Sequence, residues 1–292
     1  MKKQKVNVSI ITPVYKGNKY LIHLLKNIEN AVKNVKQFYV EWVIVNDYPN
    51  EDIISLSTML DNLSIKIINN DMNQGIQKSR INGFKKSRGE YILFLDQDDE
   101  ILPLSLKMHL NNIKNNDVSV SNGYVENEKK KLIPIYNTQA QLKCTKNIKY
   151  FFFIGDIIVS PGMVLIKKDA IPNSWINNTL KTNGADDWLL WVLMLADRKK
   201  VTVTQGKTYI HKKNDNNTSN DKKKMWQSTK EALDIFKKKV VGYEKLCHVF
   251  NRRIRMVYNF QVNGKNRIIE YIKNPDITAY LIYYKFLLKK MR

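Results

Sequence analysis

Three carboxylates stand close together in Asp96-Gln97-Asp98-Asp99, directly after the apolar run Tyr91-Ile92-Leu93-Phe94-Leu95. Carboxylates at this spacing repel one another unless a cation neutralises them. Oxygen ligands select a hard cation such as Mg²⁺ or Mn²⁺, which typically bridges to phosphate oxygens. The other interpretation is a solvated acidic turn before the helix that starts near Pro103, because acidic side chains favour helix N-termini. These residues alone leave both interpretations open.

A second acidic pair, Asp186-Asp187, precedes the apolar run from Trp188 to Leu195. Two carboxylates at a helix start either cap the helix, or one of them projects into a cleft. A carboxylate in a cleft has the chemistry of a general base, which takes the proton of an attacking hydroxyl group.

Four further side chains have both a chemical and a structural interpretation. Arg80 could hold a diphosphate in its planar fork or could be an ordinary surface arginine. His211 ends a predicted strand and is either a ligand or a structural histidine. Tyr15 is either an aromatic platform or a plain loop residue, and Asp47 is either a binding residue or a helix cap.

The elements that must position these residues alternate in the first 120 residues, which predicts a parallel sheet covered by helices. Ligands in such sheets lie beyond the carboxyl ends of the strands, where Tyr15, Asp47 and residues 96–99 fall. The predicted strands are Val6 to Thr12, Val40 to Val45, Ile65 to Ile68, Tyr91 to Leu95 and Val118 to Ser121, and the predicted helices are Tyr20 to Val35, Asp52 to Leu63, Gln74 to Ser87 and Leu104 to Ile113.

The second half of the chain has a looser pattern. It predicts a strand at Met163 to Ile166, a helix at Asp186 to Ala196, two strands at Val201 to Thr204 and Thr208 to His211, and helices from Met225 onward. The polar segment 212–224 is expected to be a mobile loop that closes over a bound ligand.

The charge of the chain favours anionic partners. The formal net charge is +22, and residues 212–292 contribute +13 of it. Nucleic acid, an anionic membrane and phosphorylated substrates all fit such an excess. Cys144 and Cys247 are the only cysteines and lie far apart, so we expect no disulfide framework and a cytoplasmic location.

The C-terminal residues 277–292 predict an apolar helix with Lys285, Lys289 and Arg292 on one side. Such a helix could lie at the inner face of the cell membrane. It could equally pack on the core or on a partner subunit.

Four segments together resemble glycosyltransferase family 2. They are Val8-Ser9-Ile10-Ile11-Thr12-Pro13-Val14-Tyr15; Glu41-Trp42-Val43-Ile44-Val45-Asn46-Asp47; Asn73-Gln74-Gly75 with Arg80 and the run from Gly89 to Asp99; and Gly184-Ala185-Asp186-Asp187-Trp188. The sequence departs from the family pattern at Asn46 and Tyr48-Pro49, which replace an acidic residue and a Gly-Ser pair.

The resemblance implies a GT-A fold, which is an α/β fold with a Rossmann-like, mostly parallel sheet and helices on both faces. It implies a nucleotide-sugar-binding and catalytic domain at residues 1–220, followed by a mainly helical, basic C-terminal extension at residues 221–292. The implied cofactor is Mn²⁺ or Mg²⁺. The implied donor contacts are Pro13, Tyr15, Asp47, Asn73, Gly75, Arg80, Asp96 and Gln97, the implied metal ligands are Asp98, Asp99 and His211, and the implied catalytic acids are Asp186 and Asp187.

In this family pattern Tyr15 stacks on the base and Asp47 accepts a hydrogen bond from a uracil imide, which indicates a UDP-sugar donor. Asp187 is the expected general base, and Asp186 orients it or contacts the acceptor.

The expected activity is an inverting hexosyltransferase that modifies a glycan or lipid-linked acceptor in bacterial cell-surface polysaccharide or capsule synthesis. A nucleic-acid-binding basic protein and an inactive donor-binding homologue are the alternatives. The carboxylates at a strand end and the lack of a nucleic-acid recognition motif argue against nucleic acid as the partner.

Overall fold

The structure is a computed structural model that describes residues 6–213 and 220–286. These residues form two compact units. The first contains Met1–Ile135, Ser160–Ile171 and Lys200–Lys213, and the second contains Tyr136–Val159, Pro172–Lys199 and Asn214–Arg292. Each unit is made of several chain segments, unlike the predicted domains 1–220 and 221–292. The division into those two domains stays a prediction.

The described part of the first unit contains a nine-stranded mixed sheet with the order β3-β2-β1-β4-β8-β6-β9-β5, and β7 pairs with β6. The strands β3, β2, β1 and β4 are parallel, whereas β8 is antiparallel to both β4 and β6. The strands are β1 (Val8–Val14), β2 (Val40–Asn46), β3 (Leu63–Asn69), β4 (Tyr91–Phe94), β5 (Glu100–Ile101), β6 (Val118–Glu126), β7 (Leu132–Pro134), β8 (Val164–Lys167) and β9 (Val201–Lys212).

The parallel half of the sheet has a continuous apolar core, since every residue of β1 and β2 is buried. Strands buried on both faces have nearly unbroken apolar sequences. The register pairs Val14 with Asn46, so β1 and β2 end at the same edge of the sheet. The loops that follow them therefore come together at that edge.

Three helices belong to the first unit: α1 (Asn18–Val32), α2 (Ile76–Lys86) and α3 (Ser105–Ile113). The helix α2 packs on β1 and β2, whereas α3 packs on β6 and β9. The mixed sheet has helices on both sides, which confirms the predicted fold class.

One predicted helix, Asp52 to Leu63, is wrong. Residues 52–60 have no regular secondary structure. The Asn18 side chain donates to the carbonyl of Asp52 and accepts from the amide of Ile54, and Thr58 donates to Glu29. These bonds to α1 fix the segment in a non-helical path, which outweighs its weak helical pattern.

The two strands predicted at Val201 to Thr204 and Thr208 to His211 form a single strand, β9. The register between β6 and β9 shifts on both sides of Asn122. A bulge of this kind bends a strand without ending it, and β9 therefore continues to Lys212.

The described residues of the second unit form helices joined by loops, with no strand among them. Its helices are α4 (Gln139–Lys143), α5 (Ile148–Phe153), α6 (Asn173–Ile176), α7 (Asp186–Ala196), α8 (Lys222–Lys239), α9 (Glu244–Gln261), α10 (Arg267–Ile272) and α11 (Pro275–Lys285). Trp188 of α7 stacks on Phe250 of α9, with ring centroids 4.4 Å apart, and Phe152 of α5 meets both rings at their edges. This aromatic cluster fixes the start of α7.

The mainly helical nature of the C-terminal region is confirmed. Part of the predicted mobile loop (214–219) lies outside the described residues, as do Lys289 and Arg292 of the predicted terminal helix. No described helix is both long and apolar enough to cross a membrane.

Candidate functional site

The loop after β4 is joined to the loop after β1 by a reciprocal pair of hydrogen bonds. The amide of Tyr15 donates to Oε1 of Gln97 over 2.9 Å, and Nε2 of Gln97 donates to the Tyr15 carbonyl over 3.2 Å. Gly17 leaves the space that this arrangement needs, because a Cβ atom there would collide with the Gln97 carboxamide. Gln97 therefore fixes the position of Tyr15.

Tyr15 and Tyr48 form an aromatic pair at this edge, with ring centroids 5.4 Å apart in an edge-to-face arrangement. The Lys16 ammonium lies over both rings. Tyr15 is 44% exposed, so part of its ring is open to a flat ligand. Tyr48, where the sequence departs from the family pattern, thus contributes an aromatic ring of its own.

Asp47 is buried and holds the turn that begins α2. Its Oδ1 accepts from the amide of Gln74 and from Nδ2 of Asn70, both over 2.8 Å, and its Oδ2 accepts from the amide of Gly75 over 2.9 Å. Gly75 has a φ of +86°, which favours glycine. The predicted contact between Asp47 and a base stays a prediction, and the observed bonds position residues 74 and 75. The same turn is closed by Asn73, whose Oδ1 accepts from Gly75.

Arg80 extends from α2 to the loop after β4. Its guanidinium donates to Oδ1 of Asp96 over 2.5 Å, and the arginine side chain is 4% exposed. The pair joins two predicted donor-binding residues. Arg80 therefore orients Asp96, and its predicted contact with a diphosphate stays a prediction.

Asp99 accepts hydrogen bonds on both carboxylate oxygens. His211 Nδ1 donates over 3.1 Å and the Lys212 amide over 3.0 Å to Oδ1, whereas Tyr209 and, over 3.4 Å, Ser160 donate their hydroxyl groups to Oδ2. Asp99 is 3% exposed. These donors come from the end of β9 and from the residue before the turn that leads to β8, so the loop after β4 is fixed to the opposite half of the sheet.

The negative charges around His211 favour its protonated form. Burial alone would lower the pKa of His211, but the hydrogen bond and charge of Asp99, with Asp96 and Asp98 nearby, outweigh burial and raise it. The same negative field attracts a metal cation. Burial and the charge of Asp99 also raise the pKa of Tyr209, which keeps that hydroxyl a donor.

The residues at this site fit a divalent cation by their chemistry. Across residues 6–213 and 220–286, no three His, Cys, Asp or Glu side chains already converge as a metal cage. However, metal-binding histidines usually donate their second ring nitrogen to a carboxylate, as His211 does to Asp99. Nε2 of His211 and the half-buried carboxylate of Asp98 are then the atoms suited to the metal.

In the second unit, Asp186 and Asp187 form the first turn of α7. Asp186 is buried, and its carbonyl accepts from Nε1 of Trp175 over 2.8 Å. Ala185, just before them, donates its amide to Ser228 of α8 over 2.9 Å. The start of α7 is thus held by two neighbouring helices, and Asp187 is the more accessible acid of the pair.

Asp156 is a residue that sequence reasoning missed. Its carboxyl group is in hydrogen-bond contact with that of Asp187. Desolvation and the charges of Asp187 and Asp186 raise the pKa of Asp156 well above its usual range, although the residue as a whole is exposed. Gly155, with a φ of +101°, leaves room beside it for the Arg253 guanidinium. A single carboxyl in an apolar stretch gave no local signal of this pairing.

The sequence matches the family model described as glycosyl transferase family 2 over residues 9–175, which is more than half of the chain. The chain belongs to glycosyltransferase family 2. Membership of this family agrees with the predicted enzyme class.

Curated relatives agree with this assignment. An uncharacterised glycosyltransferase of Methanocaldococcus jannaschii is 28% identical over 190 residues, which cover 62% of this chain and 63% of that protein. The dolichol-phosphate mannosyltransferase of Pyrococcus furiosus is 26% identical over 168 residues, which cover 57% of this chain and 42% of that protein. The matched region thus spans less than two thirds of either relative.

Solved structures show the same fold. Residues 1–349 of TarS from Staphylococcus aureus, in complex with UDP-GlcNAc, align with a TM-score of 0.63 at 17% identity over 96% of this chain and 81% of that one. The structure of the same TarS fragment described without a ligand aligns with a TM-score of 0.58 at 16% identity, over 97% and 82% of the two chains. TarS is a poly(ribitol-phosphate) β-N-acetylglucosaminyltransferase, 31% identical to this chain over 101 residues that cover 34% of this chain and 17% of TarS.

Proposed function

We propose that this glycosyltransferase is a metal-dependent, inverting enzyme that transfers a hexose from a UDP-sugar to a hydroxyl group of a glycan or lipid-linked saccharide. The observation that carries the proposal is the hydrogen-bonded group of Asp99, Tyr209 and His211. Asp99 lies in the same loop as Gln97, which fixes Tyr15. This group places negative charge and an oriented imidazole next to a base-sized aromatic surface.

The donor is assigned to the first unit. The exposed face of Tyr15, with Tyr48 beside it, stacks on the nucleobase, and Asp96, held by Arg80, contacts the ribose or the donor sugar. Asp98 and Nε2 of His211 would hold Mn²⁺ or Mg²⁺, with Asp99 behind the histidine. Such a cation, when bound, stabilises the negative charge of the departing diphosphate. The UDP-GlcNAc bound to TarS supports a UDP-sugar as the donor.

The general base is assigned to Asp187. Its carboxylate accepts the proton of the acceptor hydroxyl while that oxygen forms a bond to the anomeric carbon. The bond from the anomeric carbon to the diphosphate oxygen breaks, and the bonding electrons leave with the diphosphate. Because attack and departure occur on opposite faces, the configuration inverts. Asp186, which is buried, orients the base through the first turn of α7.

The cellular role that we propose is synthesis of a cell-surface polysaccharide such as a capsule, in the cytoplasm and in peripheral contact with the inner face of the membrane. Two observations support it. The chain carries a net charge of +22, which suits phosphate-bearing acceptors and anionic lipids. Its relative TarS acts on poly(ribitol-phosphate) by its name.

A thermal-shift panel tests the donor and the metal. We expect UDP to raise the melting temperature in the presence of Mn²⁺ and to have a much smaller effect with a chelator. Asp98→Asn should lose the metal-dependent part of the shift. Stabilisation by oligonucleotides alone would instead identify a nucleic-acid-binding protein.

Transfer itself is tested with Asp187→Asn, using UDP released from UDP-sugars as the signal. We expect turnover to fall at least about a hundredfold, because general-base catalysis contributes roughly that much. Asp197→Asn is the matched control, since Asp197 is exposed at the opposite end of α7. UDP binding without turnover in the unaltered chain, across donors and acceptors, would identify an inactive donor-binding homologue.

A further inference from the structure

The short helix α10 leaves its isoleucines in solvent. Ile268 is 67% exposed, Ile269 is 49% exposed and Ile272 is 71% exposed. Residues three and four apart share a helix face, so Ile272 lies beside both of the others. Contiguous exposed apolar side chains mark a contact surface more often than single ones do.

The neighbouring helices extend this apolar character. Both α9 and α11 pack against α10. Val262 directly follows α9, Ile282 lies in α11 and Phe286 directly follows α11, and all three are exposed. Other strongly exposed apolar residues, such as Met59 and Val241, lie in separate parts of the chain. The apolar exposure is thus concentrated in residues 262–286.

The charges of the same region are mostly positive. Residues 262–286 contain four basic side chains against two acids, Glu270 and Asp276. Glu270 is buried and accepts from Asn259 over 3.1 Å, and Asp276 is paired with Arg252 over 2.6 Å. The exposed Lys265 and Lys273 flank α10. Both acids are therefore engaged, and the solvent side presents isoleucines beside lysines.

We propose that this surface docks the protein on a bilayer of anionic lipids. The surface, called the α10 face below, consists of Val262, Lys265, Ile268, Ile269, Ile272 and Lys273. Isoleucine side chains enter the boundary between headgroups and acyl chains, and the lysines meet the lipid phosphates. The inference places the proposed membrane contact on α10, and it does not depend on the transfer chemistry.

Charge favours the bilayer over a second copy of this chain. Two α10 faces brought together would oppose lysine to lysine on molecules that each carry +22. Like charges across an interface are unfavourable. An anionic membrane supplies both the apolar layer and the opposite charge.

Co-sedimentation with vesicles tests the proposal without any donor or acceptor. The full chain is mixed with vesicles of phosphatidylcholine alone or of phosphatidylcholine and phosphatidylglycerol in equal parts. We expect binding to the anionic vesicles and at least about tenfold weaker binding to the neutral ones, because each lysine near an anionic surface favours binding about fivefold.

The double variant Ile268→Gln/Ile272→Gln should bind anionic vesicles at least about tenfold more weakly, since it removes two apolar side chains that would be buried in the bilayer. Met59→Gln/Val241→Gln is the matched control, because it removes two exposed apolar residues elsewhere and should bind normally. Lys265→Gln/Lys273→Gln should weaken binding to the anionic vesicles and leave binding to the neutral vesicles unchanged.

Three results would overturn the proposal: no vesicle binding by the unaltered chain, equal binding by the isoleucine variant, or a dimer on gel filtration that the isoleucine variant dissociates. The last result would assign the α10 face to a second copy. UDP-dependent thermal shifts, measured on the same samples, report donor binding separately, so a failure here leaves the proposed reaction intact.

Discussion

Asp99 fixes the orientation of the His211 ring, since it accepts from Nδ1 of His211 while Tyr209 and Lys212 hold the carboxylate in place. We expect Asp99→Asn to weaken Mn²⁺ binding about 10-fold to 100-fold, which is typical when a residue behind a metal-binding histidine is replaced. Tyr209→Phe removes one donor and should weaken it less. Calorimetric titration of Mn²⁺ in the presence of UDP measures both.

The same titration separates positioning from direct ligation. If Asp99→Asn leaves the affinity for Mn²⁺ unchanged, Asp99 does not orient the histidine. If Asp99→Asn abolishes Mn²⁺ binding while Tyr209→Phe has no effect, Asp99 is itself a metal ligand, as the sequence predicts.

Burial and the charge of Asp187 raise the pKa of Asp156, and a protonated Asp156 would donate a hydrogen bond to the proposed base. Asn in this place also donates from a neutral group. We therefore expect Asp156→Asn to keep kcat/KM within about threefold, whereas Asp156→Ala loses about tenfold or more, the value of one hydrogen bond to a charged group. Equal losses in both variants, with unchanged melting temperatures, would exclude this positioning role.

The turn between β1 and α1 depends on the space that Gly17 leaves for Gln97. Gly17 has a φ of −115°, which any residue adopts, so the constraint is steric. We expect Gly17→Ala to destabilise the protein by about 1 kcal/mol, because Gln97 can move aside but then loses its hydrogen bonds to Tyr15, and to weaken UDP binding by displacing Tyr15.

A double-mutant cycle identifies the cause of that effect. In a Gln97→Ala background the collision disappears, and Gly17→Ala should then cost little stability in urea unfolding. Additive losses, with no coupling between the two positions, would show that the glycine acts through something other than its contact with Gln97.

The helix α3 carries a histidine into the core, and this makes stability depend on pH. His109 is fully buried against Ser119 and Thr208, and burial lowers its pKa to about 4. An unfolded histidine binds a proton below about pH 6.5. The folded state therefore loses stability as pH falls from about 6.5 to about 4, at roughly 1.4 kcal/mol per pH unit, and keeps it fully above that range.

We expect urea unfolding at pH 7 and about pH 5 to reveal this contribution. The unaltered chain should lose about 2 kcal/mol more between these values than His109→Gln. His248→Gln, at an exposed position on α9, should behave like the unaltered chain. An equal loss in all three proteins would mean that His109 does not titrate on unfolding.

The positions of strands and helices were predictable from sequence where the local residue pattern and the tertiary contacts favour the same element. The strands β1 and β2 are mostly apolar runs that end in polar loops, so their position and the edge that holds Tyr15 and Asp47 follow from pattern alone. The helix α7 begins and ends at Asp186 and Ala196 as predicted, because two acids precede a long apolar run.

Distant contacts explain what the sequence did not show. The segment 52–60 is held by Asn18 and Glu29 of α1, and no local pattern reveals those bonds. Asp156, in the loop after α5, meets Asp187 at the start of α7. The bonds from Asp99 to the end of β9 also join residues far apart in the chain. In each case the fold brings together residues that are far apart in the chain. The residues next to them in sequence do not predict the contact.

The net charge of +22 affects the molecule as a whole. Like charges destabilise a compact state, and salt screens them when the Debye length falls to about 10 Å near 0.1 M. We expect the melting temperature to rise with NaCl, mostly below about 0.2 M. A fall over that range would mean that specific ion pairs outweigh the repulsion.

The helix α8 offers two matched positions that separate this overall repulsion from a local effect. Lys223 lies exposed in its first turn and Lys238 lies exposed in its last. Replacing either with Glu lowers the net charge equally, but the helix dipole favours an acid only at the N-terminus. We expect Lys223→Glu to raise stability by about 0.5–1 kcal/mol more than Lys238→Glu at low salt, and the difference to shrink in about 0.5 M NaCl. If the two variants change the melting temperature by the same amount, overall charge alone accounts for the effect.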